Sequence, residues 1–384
     1  MNIDPRPMIG ILGGYGRVGA VAARILAAEG GCRLRVGGRS AETAWRFARE
    51  LGDGAEAAVV DTRDDQSLTH FTRGCATVLD CSGTAFALRG QVRASVLTAG
   101  VHYVGMTDDG GSRTPAGACS AVLFTGLSGT LAGWVPRWLA DGLESATRFS
   151  GWWGGLGAIP SHTAVSCLLG RRHAVDFPAE HDPGPAPFDG DATPVPVHAT
   201  AVRRVLPEEL REQAYLLRLR EAHWHEVLKG PGVPAFLDRF AVQHPATGDG
   251  KALMAAAREL ARESLRDSAG SPAYQVLYGT LDGVTHDGVP VRRSALLHST
   301  DVTGLVGVIA SITAHEVTRG RVASGVHVMA ATLPPEATAD WIVRHLPRST
   351  AQATEMPRRE PGMMASVSPT DRRPGVRPRA DSGP

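Results

Sequence analysis

Three glycines at positions 14, 16 and 19 have the spacing of a loop that binds a pyrophosphate. Backbone N–H groups approach a phosphate closely only where no Cβ intervenes, and the third glycine lets the next helix lie close to the preceding strand. The pattern stands between a predicted strand (8–12) and a predicted helix (20–29), so it favours dinucleotide binding over a tight turn without a ligand. The residues predicted to contact the dinucleotide are Gly14, Tyr15, Gly16, Arg17, Val18 and Gly19.

The turn after the second predicted strand indicates which dinucleotide is bound. A site for NAD places a carboxylate there to hold the ribose 2′-hydroxyl, whereas this chain has Gly-Gly-Arg-Ser at 37–40. Arg39 can grip a 2′-phosphate and stack on adenine, and Ser40 can donate its hydroxyl or simply cap the next helix. We therefore expect NADP(H) rather than NAD(H). Asp61, after the third strand, contacts the adenine amino group or caps the next turn.

Small residues follow the fourth predicted strand (77–79), where the chain in this type of fold passes the ribose beside the nicotinamide. Ser82 and Gly83 are predicted to contact the cofactor there. Cys81 in the same loop is either a small buried thiol or a nucleophile.

Four side chains are candidate catalytic groups. His102 and Tyr103 are assigned to the end of the fifth predicted strand, where a nicotinamide ring would lie, and either could supply a proton to a developing amine or hydroxyl. Packing of the two rings is the alternative. Asp108, together with Asp109, could bind a substrate amine or form a loop turn. His162, at the start of a predicted helix, could contact the substrate or cap that helix.

No metal site is predicted. His223 and His225 fall in a segment (207–229) predicted as one amphipathic helix, and residues two apart on a helix point to different sides. The five cysteines are scattered without a CxxC pair, so we expect neither a disulfide framework nor a structural zinc site. Motifs of hydrolases and kinases, such as HExxH and the phosphate-loop lysine, do not occur in the sequence.

Strands and helices alternate through the first 127 residues, which predicts an α/β fold with a doubly wound parallel sheet of the Rossmann type. The pattern then changes, and residues 128–300 are predicted to form a second, α+β domain for substrate and oligomerisation. A C-terminal segment (301–348) begins with a helix that is apolar nearly all round. Residues 349–384 contain six prolines and six arginines and are predicted to be a disordered tail.

Composition narrows the classes of partner. The chain has 384 residues, 43% hydrophobic residues and a net charge of +1, which argues against global disorder and against binding nucleic acid or anionic membranes through overall charge. No stretch of about 18 apolar residues occurs, so no membrane span is predicted. The amino terminus lacks the pattern of a signal peptide, and with unpaired cysteines this leads us to expect a cytoplasmic protein with a small-molecule substrate.

Several segments together resemble the saccharopine dehydrogenase-like group of reductases, over residues 8 to about 345. They are the glycine fingerprint at 13–19, the turn at 38–40, the strand Ala-Gly-Val-His-Tyr-Val at 99–104, Gly-Gly-Leu at 154–156 and the helix after Ser299. The resemblance implies an N-terminal sheet that binds NADP(H) or NAD(H), a substrate domain built on a mixed sheet, and a C-terminal helix that packs back on the nucleotide domain. It also implies hydride exchange at a carbon–nitrogen bond and a homodimer formed through the middle sheet.

The chain departs from the family at one position. The family often continues His-Tyr-Val with Asp, and here that position is Gly105. The middle segment also lacks an evident arginine pair for two carboxylates. We therefore expect an NADPH-dependent reductase of a C=N bond in an amino-acid-derived or natural-product intermediate. The alternatives are reduction of C=O or C=C, a saccharopine-like amino-acid dehydrogenase, and a non-catalytic NADP(H)-binding sensor or scaffold.

Overall fold

The structure is a computed structural model that describes residues 5–83, 89–106, 117–172, 175–176, 201–243 and 250–357. Within these residues the first sheet has seven strands, all parallel. They are β1 (Met8–Leu12), β2 (Arg33–Gly38), β3 (Ala55–Val59), β4 (Thr77–Asp80), β5 (His102–Gly105), β6 (Ser120–Leu123) and β13 (Gly325–Val328). The spatial order β13-β6-β5-β4-β1-β2-β3 contains the Rossmann order 3-2-1-4-5-6, so the predicted fold class is confirmed.

Both faces of this sheet are covered. In β1, Ile9 and Ile11 belong to one hydrophobic cluster while Met8 and Leu12 belong to another, as expected when successive side chains of a strand alternate between two buried faces. The helices of this half are α1 (Arg17–Glu29), α2 (Ala41–Leu51), α3 (Asp65–Thr72), α4 (Arg89–Thr98), α10 (Val302–Thr318), α11 (Met329–Thr332) and α12 (Pro335–His345).

The C-terminal segment returns to the half built on the first sheet, as predicted. Helix α10 packs along α1, and a Cβ at Gly307 would collide with the side chain of Val21. The segment also supplies β13, which pairs with β6 at the edge of the first sheet and which the sequence pattern did not indicate. The predicted domain boundaries near 127 and 300 stay predictions.

The second sheet has seven strands in the described residues, and it is mixed, as predicted. Its strands are β7 (Ser145–Leu156), β8 (Val175–Asp176), β9 (Ala201–Leu206), β10 (Glu221–Leu228), β11 (Tyr274–Val284), β12 (Pro290–Ser299) and β14 (Ser349–Pro357). Their order is β14-β12-β11-β7-β10-β9-β8, and β7 and β10 run parallel while the other pairs are antiparallel. The helices of this half are α5 (Leu127–Ala140), α6 (Ser161–Arg172), α7 (Glu208–Leu216), α8 (Gly232–Gln243) and α9 (Gly250–Asp267).

The prediction of one helix over 207–229 is wrong. Helix α7 ends at Leu216, the chain turns through Arg218 at a φ of 54°, and β10 follows. Pairing with β7 and β9 places Trp224 and Val227 on opposite faces of the second sheet, where both are buried, and this tertiary gain outweighs the local helix propensity. The tryptophan–glycine run at 151–155 lies inside β7.

The predicted disorder from Ser349 onward is also wrong for residues 349–357. These residues form β14, which pairs with β12, and the hydroxyl of Ser349 is hydrogen-bonded to that of Ser299 (2.8 Å). The six prolines counted for the tail all lie at or beyond Pro357, so the composition of the far tail obscured a short edge strand. Residues 358–384 lie outside the described part of the chain. Among the described helices, none has the length and apolarity needed to cross a bilayer.

Candidate cofactor and substrate site

The glycine loop after β1 has the closed form that a dinucleotide site needs. Gly13 has a φ of 69°, and a Cβ there would lie 2.6 Å from the carbonyl oxygen of Cys81. The N–H of Gly16 donates to the carbonyl of Gly13 (2.8 Å), and a Cβ at Gly19 would collide with that same carbonyl. Helix α1 then begins with no side-chain cap and no acidic residue in its first turn. The described residues therefore fit a bound pyrophosphate.

Tyr15 connects this loop to the end of β2. Its hydroxyl accepts a hydrogen bond from the N–H of Ser40 (3.0 Å), and any side chain at Gly38 would collide with its ring. Two predicted contact regions, the fingerprint and the 38–40 turn, are thus held side by side. Arg17 is exposed on the first turn of α1.

The 38–40 turn and the end of β3 form a basic patch that contains one carboxylate. Arg39 and Ser40 are exposed, and Ser40 caps α2 by accepting from the N–H of Thr43 (3.3 Å). Asp61 is paired with Arg63 (2.6 and 3.0 Å), and hydrogen bonds from the side chain and backbone of Arg63, with a smaller effect of the Arg39 charge, lower the pKa of Asp61 to about 2. The carboxylate therefore stays ionised, and two guanidinium groups more than offset its charge.

Arg63 is a residue that the sequence reasoning missed. Its position two residues after Asp61 could have indicated it, because a turn between the two residues lets the N–H and the guanidinium of Arg63 donate to the carboxylate of Asp61. Asp61 acts here as the partner of Arg63, and its predicted contact with adenine stays a prediction.

The loop after β4 is anchored by a buried carboxylate. Asp80 is 4% exposed, and it accepts hydrogen bonds from the N–H of Ser82 (2.9 Å) and the hydroxyl of Tyr103 (3.1 Å). A Cβ at Gly13 would lie 2.8 Å from Cα of Ser82, so the loops after β1 and β4 touch. Gly83 is exposed at a φ of 60°. Ser82 and Gly83 thus lie at the carboxyl edge of the sheet, where their cofactor contacts are predicted.

Tyr103 and His102 occupy different places from those predicted. Tyr103 is 2% exposed and supports Asp80, and a Cβ at Gly105 would lie 2.6 Å from its ring, so an Asp at 105 would displace it. His102 is the first residue of β5 and pairs with Thr77, which places it at the amino edge of the sheet. That is about 10 Å, or three residues of strand, from the cofactor edge, so its predicted position beside the nicotinamide is wrong.

His102 has a structural partner at this opposite edge. Its Nδ1 accepts a hydrogen bond from the N–H of Ser120, the first residue of β6 (2.9 Å). Burial lowers the pKa of the imidazole, which favours the neutral form that this bond requires.

The other two candidate catalytic residues are placed only in part. His162 is the second residue of α6, which begins shortly after β7 ends at the carboxyl side of the second sheet. Asp108, with Asp109, lies outside the described residues. Catalytic roles for His162 and Asp108 stay predictions.

A carboxylate on the second sheet faces the same edge and was not predicted. Glu226 of β10 accepts a hydrogen bond from the hydroxyl of Ser128 (3.2 Å), which accepts one from Nε1 of Trp224 (3.1 Å). Ser128 stands in the first turn of α5, and α5 starts four residues after the carboxyl end of β6. The assignment of β10 to a helix concealed this cluster, because only in a strand do residues 224 and 226 share a face.

The two histidines on β10 also share a face for this reason. Their rings lie 6.5 Å apart, and His225 stacks on Trp152 with a ring separation of 5.2 Å. The helical argument against a metal pair is therefore wrong, but the described residues contain no group of three His, Cys, Asp or Glu side chains able to hold a metal.

Residues 9–114 match the family described as Saccharopine dehydrogenase NADP binding domain. The N-terminal domain belongs to the saccharopine dehydrogenase-like NADP-binding family. Its cofactor is accordingly NADP(H), and at this coarse level the protein is an NADP-binding oxidoreductase of the saccharopine dehydrogenase type. A comparison with curated protein sequences gives no significant match.

One solved structure is similar to this chain over both sheets. Apo saccharopine dehydrogenase (L-Glu forming) from Saccharomyces cerevisiae is similar with a TM-score of 0.54 at 13% identity, covering 91% of this chain and 100% of that chain. At this identity the similarity shows the fold. A short-chain dehydrogenase/reductase from Veillonella parvula in complex with NADP covers only 26% of this chain and 47% of its own, at 13% identity and a TM-score of 0.24.

Proposed function

We propose that the protein is an NADPH-dependent reductase that transfers a hydride to the C=N bond of an amino-acid-derived or natural-product intermediate. The observation that carries the proposal is the arrangement of the two halves. Helix α5 begins four residues after the carboxyl end of β6 and packs against β7 and β11 of the second sheet, in the fold of a dehydrogenase named for saccharopine and for forming L-Glu. Chemistry at a carbon–nitrogen bond is therefore the first expectation for a substrate bound beside this junction.

The reaction requires a hydride at carbon and a proton at nitrogen. NADPH, when bound, supplies the hydride. The chain contributes the glycine cradle for the pyrophosphate, the basic patch of Arg39 and Arg63 for the 2′-phosphate, and the Asp80-anchored loop beside the ribose. Holding both reactants in line supplies about 7–11 kcal/mol of the barrier reduction in well-aligned systems. Water or His162 would deliver the proton and Asp108 would bind the substrate amine, while in this structure the hydroxyl of Tyr103 is bonded to Asp80.

Three other functions compete with the proposed reduction of a C=N bond. The same fold and cofactor serve reduction of C=O or C=C, and they serve oxidation of an amino acid by NADP⁺. A protein of another class, an NADP(H)-binding sensor or scaffold, would bind the cofactor without turnover.

The deciding experiment follows loss of the near-ultraviolet absorbance of NADPH when the purified full chain meets a panel of cyclic and open-chain imines, ketones and enones. We expect consumption with imines above all. Preference for ketones or enones would move the assignment to those bonds, and consumption of NADP⁺ with amino acids would support the oxidative alternative. Tight binding of NADPH with no consumption across the panel would favour the sensor.

Assembly and location complete the proposal. A homodimer formed through the second sheet and a cytoplasmic location rest on the family resemblance and on the cysteine pattern. Light scattering coupled to size-exclusion chromatography tests the dimer directly.

A further inference from the structure

The phenol of Tyr15 lies between the two loops that are expected to hold the adenosine end of the cofactor. Tyr15 belongs to the glycine loop after β1, and its Oη accepts a hydrogen bond from the N–H of Ser40 (3.0 Å) at an exposed position. Its ring lies against Gly38, the last residue of β2, where any side chain would collide with it. The hydroxyl is therefore held in a fixed position beside the turn that contains Arg39.

This hydroxyl still has a proton to donate. A phenol oxygen accepts hydrogen bonds through its lone pairs and donates one through its O–H group. The bond from Ser40 uses a lone pair, and within the described ranges no group accepts the proton of Tyr15. The side chain is only partly buried, so the proton is available to a ligand bound at this turn.

The hydroxyl of Ser40, in contrast, is used within the chain. Its Oγ accepts from the N–H of Thr43 (3.3 Å) and is also hydrogen-bonded to Oγ1 of Thr43 (2.9 Å). Both bonds hold it against the first turn of its own helix, α2. Of the two hydroxyl groups beside the turn after β2, that of Tyr15 is therefore the better placed to donate to a ligand.

The ligand group expected at this place is a phosphate. In a Rossmann fold the end of the second strand receives the 2′ position of the adenosine ribose, and here it carries Arg39 and lies beside the pair of Asp61 and Arg63. A hydrogen bond to a charged phosphate is stronger than one to a neutral hydroxyl. A donor at this turn therefore stabilises a bound 2′-phosphate more than the 2′-hydroxyl of NAD(H).

We propose that Tyr15 is a specificity-determining residue for the cofactor, whose hydroxyl donates a hydrogen bond to the 2′-phosphate of NADP(H) while it accepts the N–H of Ser40. The phenol thus fixes the turn and contacts the group that distinguishes the two dinucleotides. The inference concerns the cofactor alone and does not depend on which bond of the substrate is reduced.

The test is a comparison of NADPH and NADH binding to Tyr15→Phe by titration calorimetry of the full chain. Phenylalanine keeps the ring against Gly38 and removes only the hydroxyl. We expect the variant to bind NADPH about tenfold or more weakly than wild type, and NADH less than about threefold more weakly. Its circular dichroism spectrum is expected to be that of wild type.

Tyr215→Phe is the matched control. Tyr215 is 83% exposed on α7, so the same hydroxyl is lost at a site away from both nucleotide-binding loops, and we expect wild-type affinity for NADPH. Gly38→Ala is the second variant, for use if Tyr15→Phe does not fold. Its added Cβ would push the ring of Tyr15 aside, so it is expected to weaken NADPH more than NADH.

A double variant separates a direct contact from an effect through Arg39. If the hydroxyl only holds the turn that contains Arg39, removing it has no further effect once the guanidinium is gone. If it donates to the phosphate itself, Tyr15→Phe is expected to weaken NADPH by about threefold or more in the Arg39→Ala background as well.

The outcomes separate this inference from the proposed function. Unchanged NADPH binding in Tyr15→Phe, equal weakening of NADPH and NADH, or no further loss in the Arg39→Ala background overturns the role of Tyr15. If the preference for NADPH depends on Tyr15 while no imine is reduced, this inference stands and the reductase proposal fails. If imines are reduced and Tyr15→Phe keeps the wild-type preference, the reductase stands and this inference fails.

Discussion

Replacing Arg39 by alanine tests the basis of the cofactor preference. Arg39 is exposed at the end of β2, beside the capped amino terminus of α2 and close enough to Asp61 to influence the pKa of that carboxyl. A charge-assisted hydrogen bond contributes about 1.5–3 kcal/mol, so Arg39→Ala is expected to weaken NADPH by about 10- to 150-fold. NADH lacks the 2′-phosphate and loses only the stacking of the guanidinium on adenine, so its affinity is expected to change by less than about threefold.

The assay is the quenching of protein fluorescence on titration with each nucleotide, at low and at high salt. Arg49→Ala is the control, since Arg49 is exposed on α2 about 15 Å further along and its loss removes the same charge. High salt is expected to narrow the difference between wild type and Arg39→Ala, because ions screen exposed charges. Equal weakening of NADPH and NADH by Arg39→Ala would show that the guanidinium does not bind the 2′-phosphate.

Arg63 gives a second test of the same patch. Without Arg63 the carboxylate of Asp61 loses the hydrogen bonds that hold its pKa near about 2, and its charge faces the 2′-phosphate with less compensation. Arg63→Ala is therefore expected to weaken NADPH more than NADH, and adding Asp61→Asn is expected to restore part of the loss. No recovery in the double variant would mean that the carboxylate does not face the phosphate.

Three further predictions concern the cradle, the last strand and pH. In Gly16→Val the Cβ would lie 3.0 Å from the carbonyl oxygen of Gly13, so this variant is expected to lose NADPH binding while its circular dichroism spectrum stays unchanged. The control Gly250→Val, where the added side chain meets open space, is expected to bind NADPH normally. Binding of NADPH by Gly16→Val would contradict the assignment of the glycine fingerprint. Truncation after residue 348 is expected to lower the free energy of unfolding by about 2 kcal/mol or more relative to truncation after residue 357, at about 0.5 kcal/mol for each of several lost ladder bonds; equal denaturation midpoints would refute this. Burial lowers the pKa of His102 in the folded state, so on acidification the unfolded chain binds a proton at this residue before the folded chain does. The free energy of unfolding is therefore expected to be highest above about pH 7 and to fall towards pH 5. His102→Asn is expected to flatten that slope in denaturation curves, and an unchanged slope would assign it to other groups.

Local chemistry explains why the nucleotide-binding half could be predicted. The fingerprint, its strand and its helix are contiguous, and glycine is required there by close backbone contacts within a few residues, such as Gly19 against the carbonyl of Gly13. Alternation of short apolar strands with helices likewise depends on local pattern. The absence of a carboxylate at 37–40 could be read directly, and it agrees with the match of residues 9–114 to an NADP-binding domain.

The middle of the chain was less predictable because its strands depend on distant partners. The 221–228 segment has helical spacing of apolar residues, yet it pairs with β7, more than 70 residues earlier, and with β9. Because β10 was predicted as a helix, the contact of Glu226 with Ser128 of α5 was not predicted. That contact depends on the position of a distant helix and not on residues next to Glu226 in the sequence.

The sequence by itself determined three features: the Rossmann sheet of the N-terminal half, the glycine loop suited to a pyrophosphate, and the arginine that follows β2 in place of a carboxylate. Each of these depends on residues that are adjacent along the chain. Tertiary structure decided which side chains come together at the edges of the two sheets. Strand direction placed His102 at the far edge, burial bonded Tyr103 to Asp80, and the second sheet brought Glu226 to Ser128 across nearly 100 residues. Such positions are set by the free energy of packing distant elements together, which local pattern does not encode.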